Sequence, residues 1–137
     1  MRLWHQSLIP FLPRQQLLGQ WRECIALLGK GWGRKHKIVD YVFTYSESYL
    51  IAYTSIIIAE MLRREYNPNR DLVRVALMER RDKTKEEFYA LINKAESITL
   101  ESLNNGINIY PEHNDKYLQE CIENLAKKGI QLDFSKK

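Results

Sequence analysis

Residues 46–69 have the sequence SESYLIAYTSIIIAEMLRREYNPN. Apolar side chains occupy most positions between Ser46 and Tyr66, which is typical of a helix that is buried on most sides. Serine often caps a helix N-terminus, and the Asn-Pro-Asn that follows Tyr66 ends a helix. We therefore expect a long central helix from about Glu47 to Tyr66, around which the rest of the fold packs.

Helical periodicity continues before and after this segment, and no run alternates with the period of two of a half-buried strand. A first helix is predicted from about Pro13 to Gly29, because proline favours the first helical position and glycine favours the C-terminal end. Two shorter amphipathic helices are predicted in RDLVRVALMERR (70–81) and TKEEFYALINKAESI (84–98). The helical content therefore extends over most of the chain.

The end of the chain adds one more predicted helix. The segment ESLNNGINIYPE (101–112) is turn-rich, and a last helix is expected from about Asn114 to Lys128, ending at Gly129. Thr84 with Glu87 three residues later forms a capping-box pattern at the start of the preceding helix. We predict an all-α protein, one domain of about five helices over residues 1–137.

Length and composition favour a soluble globular protein. A chain of 137 residues with 45% hydrophobic and 28% charged residues can form one core. Its longest apolar run, residues 49–59, is shorter than the roughly 20 residues of a membrane span, and the N-terminus lacks the pattern of a secretory signal. Cys24 and Cys121 lie far apart, so we expect two reduced core thiols and a cytoplasmic location.

Basic residues are concentrated in one loop. The chain carries 21 Lys and Arg against 17 Asp and Glu, which is only a weak indication of an anionic partner. The stretch KGWGRKHK (30–37), however, contains four cations and no acid: Lys30, Arg34, Lys35 and Lys37. This loop is the strongest candidate for phosphate contacts.

The common catalytic motifs are absent. The sequence has no glycine-rich phosphate loop, no HExxH and no GxSxG. The three histidines lack metal-ligand spacing, so we predict neither a metal nor a cofactor. Four tyrosines spaced by four residues fit either a base-stacking ladder or core packing, and we assign them to packing: Tyr41, Tyr45, Tyr49 and Tyr53.

An Arg-Glu pair stands in the middle of the predicted first helix, in GQWREC (19–24). Arg22 and Glu23 have the small residues Gly19 and Ala26 as neighbours about one turn away, which leaves room for a ligand. A solvated helix face fits the same pattern. The glutamines at positions 15, 16 and 20 extend this polar side of the helix.

The stretch RQQLLGQWRE (14–23) resembles the active-site helix of the pyrimidine-dimer DNA glycosylase family, the phage endonuclease V type. Gln15, Leu17, Arg22 and Glu23 fall at matching places, at the same distance from the start methionine. The stretch YLQECIENLAKKGIQL (117–132) is similar to a later helix of that family. Between them, over residues 38–110, we find no convincing match.

The resemblance implies a specific chemistry on damaged double-stranded DNA. Members of the family attack the sugar C1′ with the chain's own α-amine, expel the damaged base through an imine and cleave the strand by β-elimination. Glu23 matches the essential acid/base, and Arg22 matches a residue that binds the backbone or substrate. Because aminopeptidases usually leave methionine in place before a bulky residue such as Arg2, the implied nucleophile is the amine of Met1.

The residues that would bind substrate in this interpretation lie near the N-terminus and in the basic loop: Arg2, His5, Gln15, Gln16, Gln20, Lys30, Arg34, Lys35 and Lys37. Lys127 and Lys128 are further candidates for phosphate contacts. The substrate is a pyrimidine dimer or an abasic site, with no membrane contact, and the sequence assigns no oligomeric state. Two alternatives stay open: a non-catalytic nucleic-acid-binding protein of the same fold, and an interaction domain.

Overall fold

The computed structural model describes residues 2–34 and 38–135, and within these ranges the protein is all-α, without a β-strand. The α-helices are α1 (Arg14–Leu28), α2 (Glu47–Arg63), α3 (Leu72–Arg74), α4 (Lys85–Asn105) and α5 (Asp115–Lys127). Two 3₁₀ helices, Gln6–Phe11 and Asp40–Thr44, precede α1 and α2. The predicted fold class is therefore confirmed.

Helix α1 has the predicted bounds. Pro13 is its N-cap residue and Gly29 its C-cap residue, and the Gly29 N–H donates to the Ile25 carbonyl. Its buried side includes Leu17, Cys24 and Leu28, none of which is exposed to solvent. The apolar stripe thus turns inward while Arg22 remains exposed.

Helix α2 is the central helix, as predicted, and packs mainly against α4 and α1. Leu50, Tyr53 and Ile57 are fully buried along it. Ser46 occupies the N-cap position, but its hydroxyl makes no capping hydrogen bond. The helix ends at Arg63 rather than at Tyr66.

Helix α4 is longer than the sequence suggested. It runs for 21 residues to Asn105, so the predicted end at residue 98 and the predicted turn from residue 101 were wrong. Thr99, a weak helix former in this part of α4, contacts the central helix: its Oγ1 lies 3.3 Å from Ser55 Oγ of α2 and donates to the Ala95 carbonyl at 2.9 Å. The helix ends at Gly106, whose φ of 63° is the left-handed conformation that glycine tolerates.

The remaining helices differ less from expectation. The capping box of Thr84 and Glu87 is present, and the Asn114 side chain caps α5 by accepting from the Tyr117 N–H. The predicted helix over residues 70–81 is a single α-helical turn, α3, continued by a π-helical turn at Val75–Glu79. None of the helices of the described residues is long and apolar enough to cross a membrane.

The four evenly spaced tyrosines pack around one buried ring. Each of their rings lies within 6.4 Å, centroid to centroid, of Tyr110, which follows α4. The assignment of these tyrosines to packing is therefore confirmed. Both cysteines are buried and free, and burial raises the pKa of Cys24 to about 12.

The N-terminal segment enters the interior before the first helix. Leu3, Trp4 and His5 are 5% exposed or less. We call residues 2–5 the N-terminal arm. The arm lies against α1, α2 and α5, where it forms one wall of the cleft described below.

Candidate active site

Glu23 of α1 lines a cleft of about 200 Å³. The other lining residues come from the N-terminal arm, from the segment after the basic loop and from the end of α5: Arg2, Trp4, Ile38, Asn124 and Lys128. Glu23 is half-buried, so its carboxylate can meet a ligand while being partly shielded from water. The cleft therefore combines one carboxylate with two cations.

One side chain joins the arm to this carboxylate. Gln20, one turn before Glu23, is 1% exposed. Its Nε2 donates to the Arg2 carbonyl at 3.1 Å and to Glu23 Oε2 at 3.2 Å. Its Oε1 accepts from the Trp4 N–H at 2.6 Å. A single amide thus fixes both the backbone of the arm and the candidate acid/base.

Two tyrosines hold the arm from other helices. The Tyr53 hydroxyl of α2 lies 2.6 Å from the Trp4 carbonyl oxygen and 2.9 Å from Gln20 Oε1. The Tyr117 hydroxyl of α5 donates to the Leu3 carbonyl. Burial raises the pKa of both phenols well above the ordinary value, so both remain protonated donors at neutral pH.

Two cations flank the indole of Trp4. The Arg2 guanidinium carbon lies 6.0 Å, and Lys128 Nζ 5.4 Å, from the ring centroid. The Arg2 guanidinium also lies 5.7 Å from the centroid of the Tyr117 ring. Positive charge held at the mouth of a cleft attracts an anionic ligand such as a phosphate backbone.

His5, the last residue of the arm, packs against His113. The His5 and His113 rings stack at 5.5 Å, and His113 stacks in turn on Tyr117 at 5.2 Å. His113 Nδ1 accepts from the Gln6 N–H, which leaves the ring proton on Nε2, 2.8 Å from the Tyr41 hydroxyl. Burial lowers the pKa of His113 to about 3, so this ring stays neutral.

Not all of the predicted site residues lie at the cleft. Gln15 is exposed and Gln16 half-buried on the first turn of α1, away from the cleft lining. Arg22 is exposed on a neighbouring side of α1, and its Nη2 lies 3.9 Å from the place where a Cβ at Gly19 would stand. A Cβ at position 19 would therefore stand in ordinary van der Waals contact with the guanidinium of Arg22.

Two predicted substrate contacts are interior residues. Gln20 is bonded internally, and His5 is 4% exposed and caps the first 3₁₀ helix by accepting from the Ser7 N–H. Direct contact with substrate would require both side chains to leave the core. Their observed contacts are with the arm and with Glu23.

The basic loop is described in part. Lys30 and Arg34 are exposed after α1, while Lys35 and Lys37 lie outside the described residues, as does Met1. The chain returns at Ile38, which lines the cleft. The loop therefore begins at the end of α1 and leads back to the candidate site.

Sequence reasoning missed the contributions of Trp4, Tyr53, Tyr117 and Asn124. The tyrosines looked like ordinary core residues, since only the fold places their hydroxyls at the arm's carbonyls. Trp4 carried a usable signal, because a large aromatic next to basic residues near the terminus often marks a contact surface. Nothing in the sequence placed Asn124 of α5 at the same cleft as Glu23 of α1.

A comparison with known protein families shows to which family the chain belongs. A family model described as pyrimidine dimer DNA glycosylase matches residues 1–73, more than half of the chain. The chain belongs to this glycosylase family. Neither the curated proteins nor the solved structures contain a match.

The range matched to the glycosylase family includes the arm, α1 with Glu23, and α2 with Tyr53. It extends through residues 38–73, where the sequence had suggested no match, so that expectation was wrong for this part. The likeness of residues 117–132 to a later helix of the family lies beyond the matched range and stays a prediction. Membership of a DNA glycosylase family implies that DNA is the ligand of this chain.

Proposed function

We propose that this protein is a DNA glycosylase with AP-lyase activity that acts on duplex DNA containing a pyrimidine dimer or an abasic site. The α-amine of Met1 is the nucleophile and Glu23 is the general acid and base. The observation that carries the proposal is the shared amide of Gln20, which bonds both to the Glu23 carboxylate and to the carbonyl of Arg2, the residue next to Met1.

The reaction begins at the sugar. The lone pair of the neutral amine forms a bond to C1′ while the bond from C1′ to the base breaks, and the base leaves with that electron pair and takes up a proton. One of the two protons then leaves the nitrogen, its lone pair forms the C1′=N bond as the bond from C1′ to the ring oxygen breaks, and Glu23 delivers a proton to that oxygen, which yields a protonated imine. At an abasic site, where no base is attached, the amine adds to the C1′ aldehyde and water leaves. An α-amine suits this step because its reference pKa of about 7.7–8.0 leaves a useful neutral fraction at pH 7.

Strand cleavage follows from the imine. Glu23 removes a proton from C2′, the electrons form a double bond within the sugar, and the C3′–O bond breaks with departure of the 3′ phosphate. Water then hydrolyses the imine and returns the free amine. A carboxylate that is half-buried beside the reacting sugar can transfer both the ring-oxygen proton and the C2′ proton.

The charges around the cleft fit a DNA backbone. Arg2 and Lys128 line the cleft, and Lys30 and Arg34 are exposed at the start of the basic loop. We assign phosphate contacts to these four residues, to Lys35 and Lys37 of the same loop, and to Arg22. Gln15 and Gln16, on the first turn of α1, are proposed to contact the duplex beside them.

The damaged nucleotide must leave the base stack to reach the cleft. A dimer or an abasic position is weakly stacked, so extrusion costs less there than at an intact base. A cleft of about 200 Å³ accommodates a sugar and its adjacent phosphate rather than a complete base pair. We therefore propose that the sugar, and not the base, lies beside Glu23.

Trapping with sodium borohydride tests this function. Borohydride reduces an imine to a stable amine, so incubation with abasic or dimer-containing duplex should give a covalent protein–DNA adduct. Undamaged duplex of the same sequence is the control. Salt-sensitive binding to duplex without any adduct would support the non-catalytic alternative and contradict the proposal.

A further inference from the structure

The amide of Gln20 makes three hydrogen bonds at the boundary between the arm and Glu23. Both protons of Nε2 are donated, one to the Arg2 carbonyl and one to the Glu23 carboxylate. Oε1 receives the Trp4 N–H and lies 2.9 Å from the Tyr53 hydroxyl. This pattern also fixes the orientation of the amide, because a flipped amide would set its NH₂ against the Trp4 N–H and its oxygen against the carboxylate.

The arm has no helix or sheet to set its position. Its backbone polar groups are held by side chains of three different helices: Gln20 on α1, Tyr53 on α2 and Tyr117 on α5. The tyrosines hold the carbonyls of Leu3 and Trp4. Among the described residues, Gln20 alone holds the carbonyl of Arg2, the described carbonyl that is nearest in sequence to the terminal amine.

We infer that Gln20 is a positioning residue that sets the terminal amine against Glu23 through the backbone of the arm. The inference rests on the proposed function, since it explains how the proposed nucleophile is held. Gln20 itself is buried and does not touch the DNA. Its role is to keep the amine and the carboxylate at one distance from each other before the substrate arrives.

Such a role matters because imine formation is sensitive to geometry. The reacting atoms must approach to about 3–3.5 Å, and a displacement of about 1 Å can cost on the order of a hundredfold in rate. The terminal residue is joined to the chain on one side only. The position of the Arg2 carbonyl, which Gln20 holds, therefore limits the positions that the amine can reach. Removing the bonds of Gln20 should therefore slow adduct formation while leaving DNA affinity nearly unchanged.

Gln20→Met is the direct test, because methionine has a similar length and volume and cannot form these hydrogen bonds. Single-turnover borohydride trapping on an abasic duplex, measured over a range of DNA concentrations, separates the maximal rate from the half-saturating concentration. We expect the maximal rate to fall about tenfold or more and the half-saturating concentration to change less than about threefold. Gln119→Met, at an exposed position of α5 outside the cleft lining, is the matched control and should keep both values.

A second measurement follows the arm without any chemistry. The Trp4 N–H should exchange slowly with solvent in the wild type and quickly in Gln20→Met, and a broad-specificity aminopeptidase should digest the arm of the variant faster. Tyr53→Phe leaves Gln20 in place but removes the hydroxyl beside the Trp4 carbonyl, and it should show a smaller effect in the same direction. This variant provides the test if Gln20→Met does not fold.

The trapping, exchange and digestion experiments distinguish a failure of the positioning role of Gln20 from a failure of the proposed function. If the wild type forms no adduct, the proposed function fails, and the exchange and digestion data alone decide whether Gln20 holds the arm. If the wild type forms the adduct and Gln20→Met forms it at the wild-type maximal rate, the positioning role is refuted. A purely structural role would lower the melting temperature of Gln20→Met and leave the maximal rate of the folded fraction unchanged.

Discussion

Gln20 Nε2 lies 3.2 Å from a carboxylate oxygen of Glu23, one turn later on α1. The same nitrogen lies 3.1 Å from the Arg2 carbonyl oxygen. The relationship joins a half-buried acid to the beginning of the chain through a side chain that solvent does not reach.

Replacing Glu23 should remove the chemistry and keep the binding. Glu23→Gln retains the size of the side chain but cannot accept a proton, and general acid–base groups contribute about 10²–10⁴-fold to rate. We expect strand cleavage on an abasic duplex to fall by at least about a hundredfold, with duplex affinity near that of the wild type. Glu120→Gln, an exposed acid on α5 near the cleft, is the control, and an equal loss in both variants would speak against a special role for Glu23.

Replacing Lys128 should weaken binding in a salt-dependent way. Lys128 lines the cleft and lies over Trp4, so a phosphate contact there releases one counterion. In Lys128→Gln the slope of log K against log salt should become shallower by about 0.9. The control is Lys116→Gln, at the exposed opposite end of α5, which should keep the wild-type slope in a fluorescence-anisotropy titration. Equal slopes in the two variants would remove Lys128 from the DNA contact.

Adding a methyl group at Gly31, at the start of the basic loop, should lower the free energy of unfolding. A Cβ at this position would stand 2.7 Å from the backbone oxygen of Ala26, which also accepts the Gly31 N–H at 2.9 Å. Because the obstruction is backbone, Gly31→Ala should cost about 1–3 kcal/mol of unfolding free energy. At Gly33 the space is open but φ is +78°, so Gly33→Ala should cost about 1 kcal/mol. Chemical denaturation that ranks the two the other way would contradict the close contact.

The stability of the protein should depend on pH through His113. Its pKa is about 3 in the folded protein, because of burial, against about 6.5 when unfolded. Between these values the unfolded chain binds the proton more readily, so this contribution to stability is complete above pH 6.5 and is lost as the pH falls.

The measurement is best made between pH 5 and 6, where carboxylates are ionised in both states. His113 should add about 1.4 kcal/mol per pH unit to the slope of the unfolding free energy. His113→Gln removes that titration, and urea titrations should show a correspondingly flatter dependence on pH. The burial of His5 also lowers its pKa, so some slope should remain in the variant. An unchanged slope in the variant would show that His113 titrates normally in the fold.

The sequence predicted the parts of the fold that local signals determine. The bounds of α1 and α5 follow from Pro13, Gly29 and Asn114, whose capping preferences act within one turn. The end of α4 could not be predicted in this way. Ser97, Thr99 and Ser102 are poor helix formers, and α4 is supported as far as the glycine at position 106 by contacts from distant parts of the chain. Thr99 Oγ1 lies beside Ser55 Oγ of α2, and Ser102 Oγ accepts from Gln6 Nε2 of the first 3₁₀ helix.

The candidate site was predictable in its central residue and not in its surroundings. Glu23 stood out because of its small neighbours and because the surrounding stretch resembles a family motif. The match over residues 1–73 confirms the family, and the role of Glu23 stays a prediction. Gln20 looked like the other polar residues of α1, since its burial depends on an arm that arrives from outside the helix. The cations of the cleft come from residues 2 and 128, whose proximity only the folded chain produces.

The position of the covalent bond to DNA shows which amine of the protein is the nucleophile. Wild-type protein trapped with borohydride on an abasic duplex can be digested with protease and nuclease, and the peptide that carries the sugar remnant can be identified by mass spectrometry. Intact mass before the reaction shows whether Met1 is present and its amine unblocked. We expect the sugar on the α-amine of the N-terminal residue. A sugar on Lys128, the lysine that lines the same cleft, or no adduct at all would contradict it.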